Sequence, residues 1–135
     1  MFVLIVGICY FLVSCKSSYK PVLHSQDGIN FKVTALAAAM QTAKTQNKPL
    51  FVFAHASWCP TCKAQKPILS KLFADPKFRN LTVFRVDFDS QKDEVRNFKA
   101  RIQSTLITFK GNEEIARSVG DTNPDSIADL LALAL

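Results

Sequence analysis

Two cysteines separated by two residues, Cys59 and Cys62, lie between a short apolar run and a segment with helical periodicity. The apolar run, Leu50–Ala54, is typical of a strand that is buried on both faces. The segment that follows has apolar residues on one side of a helix and lysines on the other. The pattern therefore predicts that Cys59 lies where a strand passes into the N-terminus of a helix.

A C-x-x-C pair at such a junction indicates redox chemistry. Unpaired backbone N–H groups and the positive end of the helix dipole favour a thiolate at Cys59, and the thiolate is the form that attacks a disulfide. Cys62, one helical turn further on, is placed to resolve the mixed disulfide. The alternatives are a static disulfide and half of a zinc site, although zinc takes four ligands and only His55 and His24 are otherwise available.

The length and charge of the chain limit what else it does. Its 135 residues suffice for one domain and not for two. The net charge of +6 is spread along the sequence with no block of consecutive basic residues. This distribution argues against nucleic-acid binding.

The N-terminus has the pattern of a signal peptide or membrane anchor. Residues 2–14 carry no charge and are mostly apolar, and they are fewer than the roughly 20 residues that a membrane-spanning helix needs. Leu12-Val13-Ser14-Cys15 resembles a bacterial lipobox, in which the cysteine is acylated. We therefore expect residues 1–14 to be a signal peptide or anchor, Cys15 the lipidation site and residues 15–30 a tether.

This interpretation predicts a lipoprotein anchored on the periplasmic side of the bacterial cell envelope. Cleavage would remove Cys9 and acylation would consume Cys15, so Cys59 and Cys62 would be the remaining thiols. A single pair suits an oxidising compartment. The alternative is that residues 1–14 form a buried N-terminal helix with two incidental cysteines.

Residues 31–135 have the alternating pattern of an α/β domain. Helices are predicted over 31–46, 60–73, 91–99 and 125–135, and strands over 50–55, 81–88, 105–109 and 114–119. Lys110-Gly111-Asn112-Glu113 is a hairpin turn between the last two strands. We expect a mixed sheet flanked by helices on both faces, with parallel strands where a helix joins them and an antiparallel C-terminal hairpin.

Residues 31–135 resemble the thioredoxin superfamily. The residues that carry the resemblance are Trp58-Cys59-Pro60-Thr61-Cys62-Lys63, Pro67, Leu81-Thr82-Val83, Val86-Asp87-Phe88-Asp89, Thr105-Leu106-Ile107-Thr108-Phe109-Lys110-Gly111 and Gly120. The resemblance implies a thioredoxin-like fold and a thiol–disulfide oxidoreductase in which Cys59 and Cys62 are catalytic. It implies no organic cofactor and no metal.

Two positions depart from the family pattern. Ser104 stands where thioredoxins have a cis-proline, and a cis bond before any other residue costs about 3–4 kcal/mol. We therefore expect a trans Gln103–Ser104 bond and a reshaped loop. Phe53 stands where thioredoxins have a buried acid, and a phenyl ring cannot titrate. Arg85 stands at the position of the lysine that usually pairs with that acid. We therefore expect Arg85 to turn to solvent or to another carboxylate.

Other residues around the pair have supporting roles by the same resemblance. Trp58 is expected to contact partner proteins, and Gln103 and Ser104 to line the substrate groove. Lys63 would stabilise the Cys59 thiolate electrostatically. Pro60 and Thr61, between the cysteines, match neither strongly reducing thioredoxins nor strong envelope oxidases. His55 is either a proton shuttle or metal ligand, or a partly buried histidine that packs beside the site.

The sequence thus predicts a membrane-tethered oxidoreductase that acts on protein disulfides in the envelope, as a reductase rather than an oxidase. Its partners would be protein substrates, an upstream redox protein and the membrane. Two alternatives stay open. Cys59 and Cys62 with His55 would hold a metal or iron–sulfur centre, or the domain would be a non-catalytic interaction module.

Overall fold

A computed structural model describes residues 36–135 of the chain. The predicted leader, the tether, Cys15 and the first five residues of the first predicted helix lie outside the described residues. The elements are α1 (Leu36–Gln46), β1 (Pro49–His55), α2 (Pro60–Ala74), β2 (Thr82–Asp87), α3 (Lys92–Asn97), β3 (Thr105–Lys110), β4 (Glu113–Val119) and α4 (Pro124–Ala132). Each corresponds to a predicted element, and one short 3-10 turn, Pro76–Phe78, was not predicted.

The four strands form one mixed sheet in the order β2-β1-β3-β4. β1 pairs in parallel with β2 and antiparallel with β3, and β4 is antiparallel to β3. The prediction that helix-joined strands run parallel is confirmed for β1 and β2 but is wrong for β3. The hairpin prediction is confirmed.

The direction of β3 follows from where the connection before it begins and ends. Just after β2, the Phe88 N–H donates to the His55 carbonyl at 2.9 Å, and just before β3, the Ser104 N–H donates to the Ala54 carbonyl at 2.8 Å. Both ends of the connection therefore meet the same end of β1. The intervening α3 has six residues and is only about 9 Å long, which is too short to carry the chain to the other end of β1. β3 therefore starts at the end of β1 and runs antiparallel to it.

The alternation of side chains along β1 builds a core on each face of the sheet. Leu50, Val52 and Ala54 pack on the side that holds α1 and α3. Phe51 and Phe53 pack on the side that holds α2 and α4. The expected layers, helices on both faces of a mixed sheet, are confirmed.

A single arginine ties the last strand to the short helix α3. The Arg117 guanidinium donates to the carbonyls of Phe98 and Lys99 at 3.0 and 3.1 Å, just past the end of α3. It also pairs with the Glu114 carboxylate through two bonds of 2.7 and 2.9 Å. The two bonds to Phe98 and Lys99 satisfy carbonyls that the end of a helix leaves without partners.

Over residues 36–135, no helix combines the length and the apolar character needed to span a bilayer.

Candidate active site

The chain leaves β1 and turns directly into α2, and Cys59 is the N-cap residue of that helix. Its backbone is extended, with φ −76° and ψ 117°, and its Sγ accepts the Cys62 N–H at 3.1 Å. Pro60 is the first helical residue, where its missing N–H costs nothing. The predicted strand-to-helix junction at Cys59 is confirmed.

Both thiols are free and buried. Cys59 is 1% exposed and Cys62 is 3% exposed, and they pack with Ala56 and Phe88 in a small cluster at the end of the sheet. Burial of a thiol disfavours the charged thiolate unless hydrogen bonds or nearby positive charge compensate.

The burial of Cys62 has a consequence for its protonation state. Burial, together with the hydrogen bond and the charge of the neighbouring Cys59 sulfur, raises the pKa of its thiol from 9.0 to about 11, and backbone hydrogen bonds from Ala56 and Ser104 oppose the rise. Cys62 is therefore protonated at neutral pH. Cys59, with its sulfur on a helix N–H, is the member of the pair placed to attack.

Ser104 adopts a conformation that proline cannot take. Its φ is +61°, and none of the peptide bonds within residues 36–135 is cis, so the expected trans Gln103–Ser104 bond is confirmed. Proline is fixed near φ −65° and lacks the N–H that Ser104 donates to Ala54. Ser104 is buried and Gln103 is half-buried, so the turn presents a different backbone beside the thiols from the one the family pattern supplies.

Gln65 is a site residue that the sequence prediction missed. It is 2% exposed, and its Nε2 donates to the Ser104 carbonyl at 3.3 Å and the Asp121 carbonyl at 2.8 Å. The signal was present in the helical spacing, because Cys62, Gln65 and Leu69 form the buried stripe of α2. A glutamine in that stripe needs partners in the interior.

The remaining predicted residues surround the pair at the surface. Trp58 is 56% exposed, and its Nε1 donates to Asp89 Oδ2 at 2.8 Å. Pro60 and Lys63 are exposed and Thr61 is half-buried. The predicted roles of these side chains, and of Gln103 and Ser104 in a substrate groove, stay predictions.

His55 ends β1 and lies opposite Asp87 on β2. It is half-buried. Burial raises the pKa of the Asp87 carboxyl, but hydrogen bonds from Ser90 and Asp89 and the charge of His55 outweigh it and leave that pKa below 3.8. His55 thus lies beside a carboxylate that is charged at neutral pH.

Phe53 occupies the interior position where the family pattern has an acid. It is buried and its ring stacks on Phe51 with centroids 6.0 Å apart. Arg85 lies opposite Phe53 on β2, as the resemblance implied. The carboxylate of Asp87 is held by Ser90 N and Oγ, both at 2.8 Å.

Among residues 36–135, no three side chains of His, Cys, Asp or Glu are grouped so that they would hold a metal ion.

Comparisons with known proteins agree with this architecture. The family model Thioredoxin matches residues 31–132. Thioredoxin from Mycobacterium tuberculosis is 34% identical over 96 residues, which cover 71% of this chain and 81% of that protein. Thioredoxin from Chlamydia trachomatis is 35% identical over 77 residues, 57% of this chain and 74% of that protein. The solved structure of Trxlp from Edwardsiella tarda is 42% identical with a TM-score of 0.67, covering 70% of this chain and 91% of that one.

The left-handed backbone of Ser104 predicts how this position responds to substitution. Ser104→Gly should be at least as stable as the wild type, because glycine adopts positive φ without strain. Ser104→Val should lose about 2 kcal/mol in urea unfolding, because a β-branched residue is strained there. Ser118→Val is the control, since Ser118 lies in β4. Equal stability of the Gly and Val variants at 104 would contradict the described turn.

The raised pKa of Cys62 predicts a loss of stability at alkaline pH. Below pH 9.0 the thiol is protonated in both the folded and the unfolded chain, so its contribution is constant. Between pH 9.0 and about 11 the unfolded chain alone loses the proton, and the free energy of unfolding should fall. Urea unfolding of the reduced protein should show this fall relative to Cys62→Ala, whereas parallel curves for the two proteins would refute it.

Proposed function

This chain belongs to the thioredoxin family and is a thiol–disulfide oxidoreductase, and from that premise we propose that it is a reductase of protein disulfides, tethered at the bacterial cell envelope. The observation that carries the redox half of the proposal is the buried, free pair in which Cys59 caps α2 and Cys62 keeps its proton.

The reaction follows from this division of roles. The Cys59 thiolate attacks one sulfur of a substrate disulfide, and the departing substrate sulfur leaves with the bonding electron pair and takes up a proton. Cys62 then loses its proton and attacks Cys59 Sγ. The second substrate sulfur leaves as a thiolate and is protonated, so the substrate gains two electrons and the Cys59–Cys62 pair becomes a disulfide. A dithiol partner must reduce the pair again.

The environment of Cys62 supports reduction rather than oxidation of substrates. A strongly oxidising pair has a reduced form that is stabilised, normally by a low-pKa thiolate. Here burial and the neighbouring Cys59 sulfur oppose ionisation of Cys62. Because Cys62 keeps its proton at neutral pH, its thiolate does not stabilise the reduced pair, and the stabilisation that marks a strong oxidant is absent at this sulfur.

The surface around the pair supports a protein substrate. The indole of Trp58 and the side chain of Ile102 are 56% and 45% exposed, respectively, and half-buried Gln103 lies between Ile102 and the Ser104 turn. Exposed aromatic and aliphatic side chains beside a reactive group are typical of a surface that another protein covers.

The tether rests on the sequence alone. Residues 2–14 are apolar and uncharged and end in Leu12-Val13-Ser14-Cys15. An acylated Cys15 would hold the domain at a membrane through residues 15–30, and several acyl chains give stable anchoring. An envelope location would also keep the single remaining pair in an oxidising compartment.

The direction of electron flow is tested by the reduction potential of the Cys59–Cys62 pair. Equilibration of the protein with a dithiol buffer should give a value near the thioredoxin end of the range, about −270 mV, and the reduced protein should reduce insulin. A value near −120 mV would instead indicate an oxidase. Cys59→Ala should abolish insulin reduction, whereas Cys62→Ala should accumulate a mixed disulfide with the substrate.

The tether is tested separately by fatty-acid labelling of the full chain in a Gram-negative host. The wild type and Cys9→Ser should incorporate label and sediment with membranes, whereas Cys15→Ser should not incorporate it. Label that persists in Cys15→Ser would refute the lipid tether and leave the redox assignment untouched.

A further inference from the structure

Gln65 joins three parts of the molecule at one buried point. It follows Cys62 by one turn of α2, and its Nε2 donates to the carbonyl of Ser104 at 3.3 Å and to that of Asp121 at 2.8 Å. The helix that carries both thiols is therefore bonded directly to the turn before β3 and to the loop between β4 and α4.

The Ser104 turn needs such restraints because its backbone is strained. A residue other than glycine at φ +61° is strained, because its Cβ crowds the backbone, and the proline ring that would stiffen the turn is absent. Three bonds hold it in place. The Ser104 N–H donates to Ala54 at 2.8 Å, and the Ser104 carbonyl accepts from Gly120 N–H at 3.1 Å and from Gln65.

The position of this turn matters to the second cysteine. Backbone hydrogen bonding from Ser104 and Ala56 lowers the pKa of the Cys62 thiol and so opposes the effect of burial. Gln65, one turn after Cys62 on the buried face of α2, bonds the carbonyl of the same turn. The Ser104 turn therefore lies against the face of α2 that carries Cys62. Resolution of a mixed disulfide requires Cys62 as a thiolate, and a backbone N–H is a strong donor to such an anion.

We propose that Gln65 is a positioning residue for the resolving step, which holds the Ser104 turn against the face of α2 that carries Cys62 while that sulfur ionises. In this step the Cys62 proton passes to solvent, and the thiolate attacks Cys59 Sγ. The bond from Cys59 to the substrate sulfur breaks, and that sulfur leaves with the electron pair. The inference rests on the thiol–disulfide exchange proposed above, and it holds for either direction of electron flow.

Rapid mixing of the reduced protein with 5,5′-dithiobis(2-nitrobenzoate) separates the two steps. Attack by Cys59 releases the first thionitrobenzoate in a second-order phase, and resolution by Cys62 releases the second in a first-order phase. Gln65→Met keeps the shape of the side chain and removes its donors. It should slow the second phase by roughly fivefold, the effect expected for loss of about one hydrogen bond, and leave the first phase within about twofold.

Arg117→Met is the matched control. It also deletes hydrogen bonds to two backbone carbonyls, those of Phe98 and Lys99, and neither residue belongs to the cluster that packs with the thiols. It should destabilise the fold without changing either phase. A second phase that is unchanged in Gln65→Met, or slowed equally in Arg117→Met, would overturn the proposal.

Two further results are decisive. If Gln65→Met does not fold, Gln65→Asn gives the same comparison, because it keeps the amide and withdraws it by one methylene. A slower second phase in Gln65→Asn supports the proposal and an unchanged one overturns it. A wild-type protein that shows no first phase would refute the exchange chemistry of the pair, and this inference with it. A wild-type protein that shows both phases, together with a Gln65 variant whose second phase is unchanged, would refute only the role of Gln65.

Discussion

The burial of β1 on both faces is the constraint on which the rest of the structure depends. Its side chains alternate between the two cores, and it pairs with a strand on each edge. A strand so restrained fixes where its last residues lie. The turn that follows places Cys59 at the start of α2, and the carbonyl of Ala54 receives the Ser104 N–H. The reactive pair and the turn that faces it are therefore anchored to the same strand.

The same packing explains why the thiol pair is asymmetric. The sulfur of Cys59 accepts a helix N–H, whereas Cys62 lies one turn inside the helix, against Ala56 and the sheet. Burial of Cys62 raises the pKa of its thiol. An interior acid at position 53 would have offered a proton acceptor, but Phe53 fills that space with a ring. In the proposed exchange, the groups that favour the Cys62 thiolate are backbone hydrogen bonds from Ala56 and Ser104 rather than a carboxylate at position 53.

Much of this was predictable from the sequence, because the strong signals are local. The apolar run before Cys59, the helical spacing after it and the turn at Gly111 each specify their own element. The direction of β3 was not predictable from these signals, since it depends on which end of β1 the connection returns to. The role of Gln65 was also missed, because its partners are backbone carbonyls of residues 104 and 121, which are distant in sequence. The identity of a side chain in the sequence does not show which backbone carbonyl it will bond in the folded protein.

The hydrogen bond from Trp58 to Asp89 has a consequence for molecular recognition. An exposed indole normally samples several rotamers and loses that freedom when a partner covers it, at a cost of about 0.5–1.5 kcal/mol. The bond from Nε1 to Asp89 at 2.8 Å restricts the indole before any partner arrives. If the proposed protein substrate covers Trp58, part of the conformational entropy of that association is already lost in the free protein, because the indole is held in one orientation beforehand.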